Sequence, residues 1–203
     1  LKVLREKEFG VYLGENDQDS GILLPKKQVP PQTKLGDQIE VFVYKDSQDR
    51  SIATTKKPMI QIGEMAVLTV KDKTRIGAFL DWGLEKDLLL PFREQRGRVQ
   101  QGDKVLVMLY IDKSSRLCAT MNVYEALRTD SPYQAEDRVH GRVYELSDNF
   151  GAFVAVDNLY SGLIPKKELY GDIQPGTDIE ARVLRVREDG KLDLRVREKA
   201  YLQ

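Results

Sequence analysis

Three short stretches set two flat or apolar side chains around a glycine: Phe9-Gly10-Val11-Tyr12, Ile76-Gly77-Ala78-Phe79 and Phe150-Gly151-Ala152-Phe153. Rings held in water in pairs can stack on the π-face of a planar ligand, and every nucleobase offers such a face. A basic residue recurs downstream of each stretch, at Arg50, Arg116 and Lys191. Such side chains reach phosphates, and an arginine can also stack as a planar cation. The pairs Lys26-Lys27 and Lys166-Lys167 could lengthen a basic track; their alternative is ordinary solvated loop charge.

Whether the rings can work together depends on register. On a regular strand, residues i and i+3 point to opposite faces. A glycine between them permits a bulge that shifts the register by one, which would bring Phe150 and Phe153 onto one face as an exposed platform. The alternative is that these aromatics fill the cores. In the second stretch Ile76 replaces the first ring, and Trp82 nearby is the candidate to stack in its place, with partial burial at a strand end as the other reading.

Other chemistries find little support. The chain has one histidine, His140, and one cysteine, Cys118. That excludes zinc sites with two or more His ligands and argues against a Ser/His/Asp hydrolase. His140 is expected on a strand surface, and Cys118 packed in a strand without the low-pKa surroundings of a reactive thiol. The acidic residues show no paired spacing that suggests a nuclease metal site. The residues therefore point to a binding protein, not an enzyme, with no cofactor and no metal.

The elements that must position these groups emerge from internal repetition. After each aromatic landmark comes an apolar pair followed by proline: Leu23-Leu24-Pro25, Leu89-Leu90-Pro91 and Leu163-Ile164-Pro165. Then a turn opens a hydrophobic run: Gly36-Asp37, Gly102-Asp103 and Gly176-Thr177. From the first landmark residue to proline is 16, 15 and 15 residues, and from proline to the turn glycine is 11 in all three. From that glycine to the basic residue is 14, 14 and 15. The units are expected at 1–60, 61–134 (with a linker at 123–132 that could hold one helical turn before Ser131-Pro132) and 135–203.

Runs such as Gln38–Tyr44, Lys104–Tyr110 and Asp178–Leu184 are rich in β-branched residues and bounded by turn signals, so they read as strands. Five short strands in each unit suit a closed Greek-key barrel. A short helical or 3-10 turn after each proline is expected to link strands three and four. The predicted fold is all-β, three tandem five-stranded barrels of the oligonucleotide-binding type.

Bulk composition is consistent with this. The chain is 41% apolar and 32% charged, and its 32 basic residues balance 32 acidic ones. Exact neutrality argues against tight, sequence-blind binding to duplex DNA, which needs many phosphate contacts. No apolar run approaches the ~20 residues of a membrane span. The single cysteine suits a cytoplasmic, reducing setting. The first residue is Leu, and a piece of a longer protein is expected.

Phe150-Gly-Ala-Phe-Val154, then Ser161-Gly-Leu-Ile-Pro165, then Pro175-Gly-Thr-Asp-Ile179 resembles the S1 RNA-binding domain, and the likeness runs through each repeat almost end to end. Three consecutive, divergent copies are similar to the bacterial conserved virulence factor B family, whose members carry a winged-helix domain after the third barrel. That resemblance implies a partner, single-stranded RNA, and a role in post-transcriptional regulation. It places the RNA face on two aromatics, a strand-three histidine, and an Asp and a basic residue near strands four and five. Carried over, the aromatic sites are Phe9 and Tyr12, Ile76 and Phe79, and Phe150 and Phe153. The Asp sites are Asp46 and Asp112, with Arg187 in the third repeat; the basic sites are Arg50, Arg116 and Lys191. The histidine is missing, since Pro25, Pro91 and Pro165 stand at its position. The RNA-binding candidates are thus Phe9, Tyr12, Arg50, Phe79, Trp82, Arg116, Phe150, Phe153, Lys166, Lys167 and Lys191. The missing histidine and the neutral charge leave a second reading open, a protein-interaction scaffold of barrels that no longer bind RNA.

Overall fold

The computed structural model describes residues 1–46 and 48–196. The last seven residues of the expected third unit, 197–203, lie outside the described residues. Among the described residues, fifteen strands form three five-stranded sheets. The first contains β1 (Lys2–Lys7), β2 (Gly10–Gly14), β3 (Ile22–Pro25), β4 (Phe42–Lys45) and β5 (Ser51–Thr54). The second contains β6 (Met65–Thr74), β7 (Gly77–Asp81), β8 (Leu88–Pro91), β9 (Lys104–Ile111) and β10 (Leu117–Thr120). The third contains β11 (Arg138–Ser147), β12 (Gly151–Val156), β13 (Tyr160–Pro165), β14 (Asp178–Val186) and β15 (Leu192–Val196).

The topology repeats. The third sheet is a closed barrel in the order β11-β12-β13-β15-β14, its β13 and β15 parallel. The first follows the same order, β1-β2-β3-β5-β4, and is pinned at its seam by a bridge between Lys2 and Gln38. In the second, β9 pairs with both β6 and β10, and β10 lies beside β8 at the remaining seam. A 3-10 turn follows each strand-three proline, at Lys26–Gln28, Phe92–Glu94 and Lys166–Glu168.

Alternation along the strands builds the cores. Val11 and Leu13 point inward while Tyr12 faces out; Ala78 and Leu80 flank outward Phe79; Ala152 and Val154 flank outward Phe153. The run Gln38–Tyr44 is strand only from Phe42 onward. The stretch Asp37–Ile39 is bonded to Leu1–Val3, through Val3 N–H to Asp37 O and Ile39 N–H to Leu1 O. In the third barrel the longer β11 pairs with β14 over five residues.

The bulge lies on the other strand from the one expected. Register shifts fall between Val3 and Arg5, Val70 and Asp72, and Val143 and Glu145. The extra residue is Leu4, Lys71 or Tyr144, each in the first strand of its repeat and beside Tyr12, Phe79 or Phe153. The glycine has a different task. Gly10, Gly77 and Gly151 have φ of +152°, +147° and +129°. A Cβ there would lie 2.2, 2.4 and 2.0 Å from the carbonyl oxygens of Leu24, Leu90 and Ile164. Only glycine allows strands two and three to approach this closely.

The barrels share cores. Phe42, Tyr44 and Ile52 of the first barrel pack into the cluster of the second around Trp82 and Leu88. Leu106 of the second barrel, Val123 and Leu127 of the linker, and Tyr144 and Ala155 of the third form another cluster, joined by Met65, Val67, Met108 and Phe153.

Candidate nucleic-acid interface

In the third barrel the aromatic landmark is a surface. Phe150 is 61% exposed, Phe153 is half-buried, and their ring centroids are 6.3 Å apart. The Lys166 N–H donates to the Phe150 carbonyl at 3.0 Å, so the exposed Lys166-Lys167 pair sits beside the outer ring. Across the sheet, Phe153 stands opposite Leu163, and Leu163 opposite Asp193. Asp193 is buried and takes Arg185 at 2.6 Å and Arg187 at 3.1 Å. Two arginines and a sunken carboxylate therefore stand where the resemblance implied a single basic Arg187.

Lys191 shares this face, but through a residue of the linker. The 3-10 turn Tyr124–Ala126 places the Tyr124 ring edge-on to Phe153 at 5.4 Å. The Lys191 ammonium lies 4.8 Å from the centre of the Tyr124 ring and donates to its hydroxyl at 2.8 Å. That hydrogen bond holds the Lys191 pKa above its ordinary value. Tyr144, at the bulge, is buried with its ring 6.2 Å from Phe153. Phe153 thus sits among three other rings, of which Phe150 is the most open.

The first barrel repeats the arrangement with fewer parts. Phe9 is 56% exposed and meets half-buried Tyr12 edge-on at 6.1 Å. Arg5, opposite Tyr12 across the bulge, lies over its ring at 5.3 Å. Arg50 is exposed at the end of the β4–β5 hairpin, where Asp46 accepts from its Nε at 3.1 Å and its backbone N–H at 2.9 Å. Asp112 closes the corresponding hairpin of the second barrel on the N–H groups of Ser114 and Arg116, at 2.8 and 2.9 Å. The two Asp sites implied by the resemblance therefore shape hairpins. Their N–H donors hold both carboxyls below the usual range, the Arg50 and Arg116 N–H groups contributing most.

The second barrel departs from the expectation. Trp82 is 2% exposed, which removes it as a stacking ring. It lies edge-on to Phe42 and Tyr44 of the first barrel at 5.8 and 6.3 Å, and its indole N–H donates to the Lys86 carbonyl at 2.6 Å. A buried indole needs both an apolar bed and one acceptor, and the barrel junction supplies them. Arg116 is turned to Asp49 of the first barrel at 2.5 Å, and Lys86 bonds the Lys45 and Asp46 carbonyls. Ile76 is exposed and Phe79 half-buried; both line a crevice of about 460 Å³ whose opposite wall includes Tyr44 and Lys45 of the first barrel. Cys118 is buried beside Asp112, and burial pushes its thiol up to about 11. His140 is exposed on β11.

Sequence reasoning missed Arg5, Tyr124, Tyr144 and Asp193. Only the linker tyrosine carried a signal, an aromatic just ahead of a proline-terminated stretch; the others acquire their roles from the bulge and from cross-strand register.

The geometry of three such barrels agrees with comparisons to known proteins. The S1 domain model matches residues 1–56 and 62–122, and the S1 RNA binding domain model matches 133–197. The Bacillus subtilis protein YitL is 31% identical over 205 residues, covering 96% of this chain and 67% of YitL. Conserved virulence factor B of Staphylococcus epidermidis is 23% identical over 193 residues, covering 90% of this chain and 64% of that protein. This chain thus spans about two thirds of the length of these relatives. A crystal structure of a multidomain protein with nucleic acid binding domains from Streptococcus pneumoniae superimposes with a TM-score of 0.64, at 21% identity, over 98% of this chain and 73% of that one. The chain belongs to the S1 domain family, as a tandem S1 protein of the conserved virulence factor B type. S1 domains support a general RNA-binding role for it.

Proposed function

We propose that this protein binds single-stranded RNA in the cytoplasm as a non-catalytic post-transcriptional regulator, holding bases on the first and third barrels. The observation that carries the reading is the Phe150–Phe153 pair, one ring open to solvent, bordered by Lys166, Lys167 and Lys191. The Phe9–Tyr12 pair under Arg5 offers a second, smaller platform. The second barrel contributes least, because its basic residue is paired to the first barrel and its tryptophan is buried. Stacking is tolerant of base identity, so little sequence preference is expected. Two weak sites on one chain gain from effective concentration.

The test is fluorescence anisotropy with a single strand of about 12 nucleotides, within the site size of such barrels. Phe150→Ala and Phe9→Ala are each expected to weaken binding by about 5- to 150-fold, since a stacked base contributes roughly 1–3 kcal/mol. Both side chains are mainly exposed, so stability should hold within about 0.5 kcal/mol. No binding of the wild-type chain at roughly 100 μM and low salt, weaker than ordinary non-specific binding, would turn the reading to a protein-interaction scaffold.

A further inference from the structure

A cavity of about 800 Å³ lies between the second and third barrels, away from the outer ring Phe150. One wall is the loop ahead of β9 with Arg96 and Arg98, and Lys104 at the start of β9; the other is β11 with Arg142 and Tyr144, closed by the turn at Gly176. Its lining includes four cations and a single carboxylate, Asp103. The Asp103 carboxylate is engaged by the Gln100 N–H at 2.8 Å. Arg142 is committed to structure, bonding Asp178 at 3.1 Å and the Lys104 carbonyl at 2.9 Å. Arg96 lies 3.8 Å from Glu145. Arg98 and Lys104 are exposed, and among the described residues neither side chain has an ion-pair partner within 4.0 Å.

The second observation is Tyr144. The residue is 7% exposed, and its hydroxyl is buried without a hydrogen-bonding partner. Buried polar groups are almost always satisfied, because an unmade hydrogen bond there is costly. Burial also keeps this hydroxyl protonated, so it remains a donor. Tyr144 lines the cavity together with Arg98 and Lys104, so a small shift of that wall would present a protonated donor to an oxyanion held there. Tyr144 links this cavity to the platform as well, since its ring packs 6.2 Å from Phe153.

We propose that the cleft between the second and third barrels is a phosphate-binding site, with Arg98, Lys104 and the Tyr144 hydroxyl as its ligand-contacting groups. Resting on the RNA-binding reading above, it takes the phosphodiester of a strand whose base lies on the Phe150–Phe153 platform, and so carries the strand from the third barrel onto the second. The same chemistry would also accept a free nucleotide.

The test compares the wild-type chain, an Arg98→Gln/Lys104→Gln double variant and Tyr144→Phe. Each is titrated with a 12-nucleotide single strand across a salt series, and separately with a mononucleotide and with inorganic phosphate. The double variant should weaken RNA binding and make the slope of log K against log salt shallower by about 1, the signature of lost phosphate contacts. Tyr144→Phe should weaken RNA binding about 2- to 10-fold, the net effect of one hydrogen bond, without lowering the unfolding midpoint. If the wild type binds the strand but both variants match it in affinity and salt slope, the cleft proposal is overturned while the platform reading stands. If Tyr144→Phe only raises stability, the orphan hydroxyl is a packing defect and its assignment fails. If the wild type does not bind RNA but binds the mononucleotide or phosphate, and the variants lose this, the cleft stands as a small-anion site and the platform reading fails. Unchanged variants in every titration would overturn the site outright.

Discussion

Single residues divide here by whether their partner is another part of the chain. Asp46 and Asp112 accept N–H groups of their own hairpins, so their carboxylates have structural work to do. Both pKa values lie below the ordinary 3.8. A depressed folded pKa means that the carboxylate stabilises the hairpin fully above the unfolded value and loses that effect as pH falls through the folded value. Carboxyl-detected NMR should therefore show both groups titrating below 3.8, with the amide shifts of Gln48 and Ser114 moving in step. Midpoints at or above 3.8 would mean that the hairpin contacts do not persist in solution. Phe9 and Phe150, in contrast, leave most of their surface to water.

At the scale of the element, the device that repeats is a pair of neighbouring irregularities. The bulge in the first strand sets an extra outward residue beside the half-buried ring, and the glycine at the start of the second strand lets the third approach. The bulge residue differs each time, and the difference sorts the barrels. Leu4 and Lys71 add no ring beside Tyr12 and Phe79, whereas Tyr144 adds a ring and a hydroxyl next to Phe153. Gly151→Ala would put a methyl group within 2.0 Å of a carbonyl oxygen at a φ of +129°. It should destabilise the third barrel by about 2 kcal/mol or more, as strained positive-φ sites do. Urea denaturation measures it, and a change below about 0.5 kcal/mol, the range of ordinary surface substitutions, would show that the close approach is not rigid.

Over the whole molecule, the barrels are joined by shared apolar clusters as well as by chain. Trp82 belongs to the second barrel by sequence, yet two rings of the first pack against it. The first two barrels should therefore unfold together. Trp82→Ala is expected to cost about 3–5 kcal/mol, and Phe42→Ala should be non-additive with it in a double-mutant cycle, as contacting residues are. Circular dichroism melts showing additive losses would contradict a joint core of the first two barrels. The same docking turns Arg116 toward Asp49 and roofs the second aromatic face. The junction of the second and third barrels holds a cleft lined by four cations and one carboxylate, the site proposed above for the phosphates of a strand.

The sequence by itself determined the triplication and the all-β class, and it left open whether Phe9 and Phe150 face water or fill the cores. The triplication and the class follow from local rules: β-branched alternation, turn glycines at constant offsets and a proline that ends strand three. The sequence also offered Lys191 and the Lys166-Lys167 pair as a basic track, with ordinary solvated loop charge as the alternative for the pair. Only the tertiary structure decided that Trp82 is core, that Arg116 pairs across a barrel junction, that Tyr124 sits on Phe153, and that Tyr144 is the bulge. Each of these depends on which surface of one barrel meets the next. Docking is set by the fit of whole apolar patches such as Phe42, Tyr44 and Ile52 against Trp82, and no short-range pattern along a strand encodes that fit.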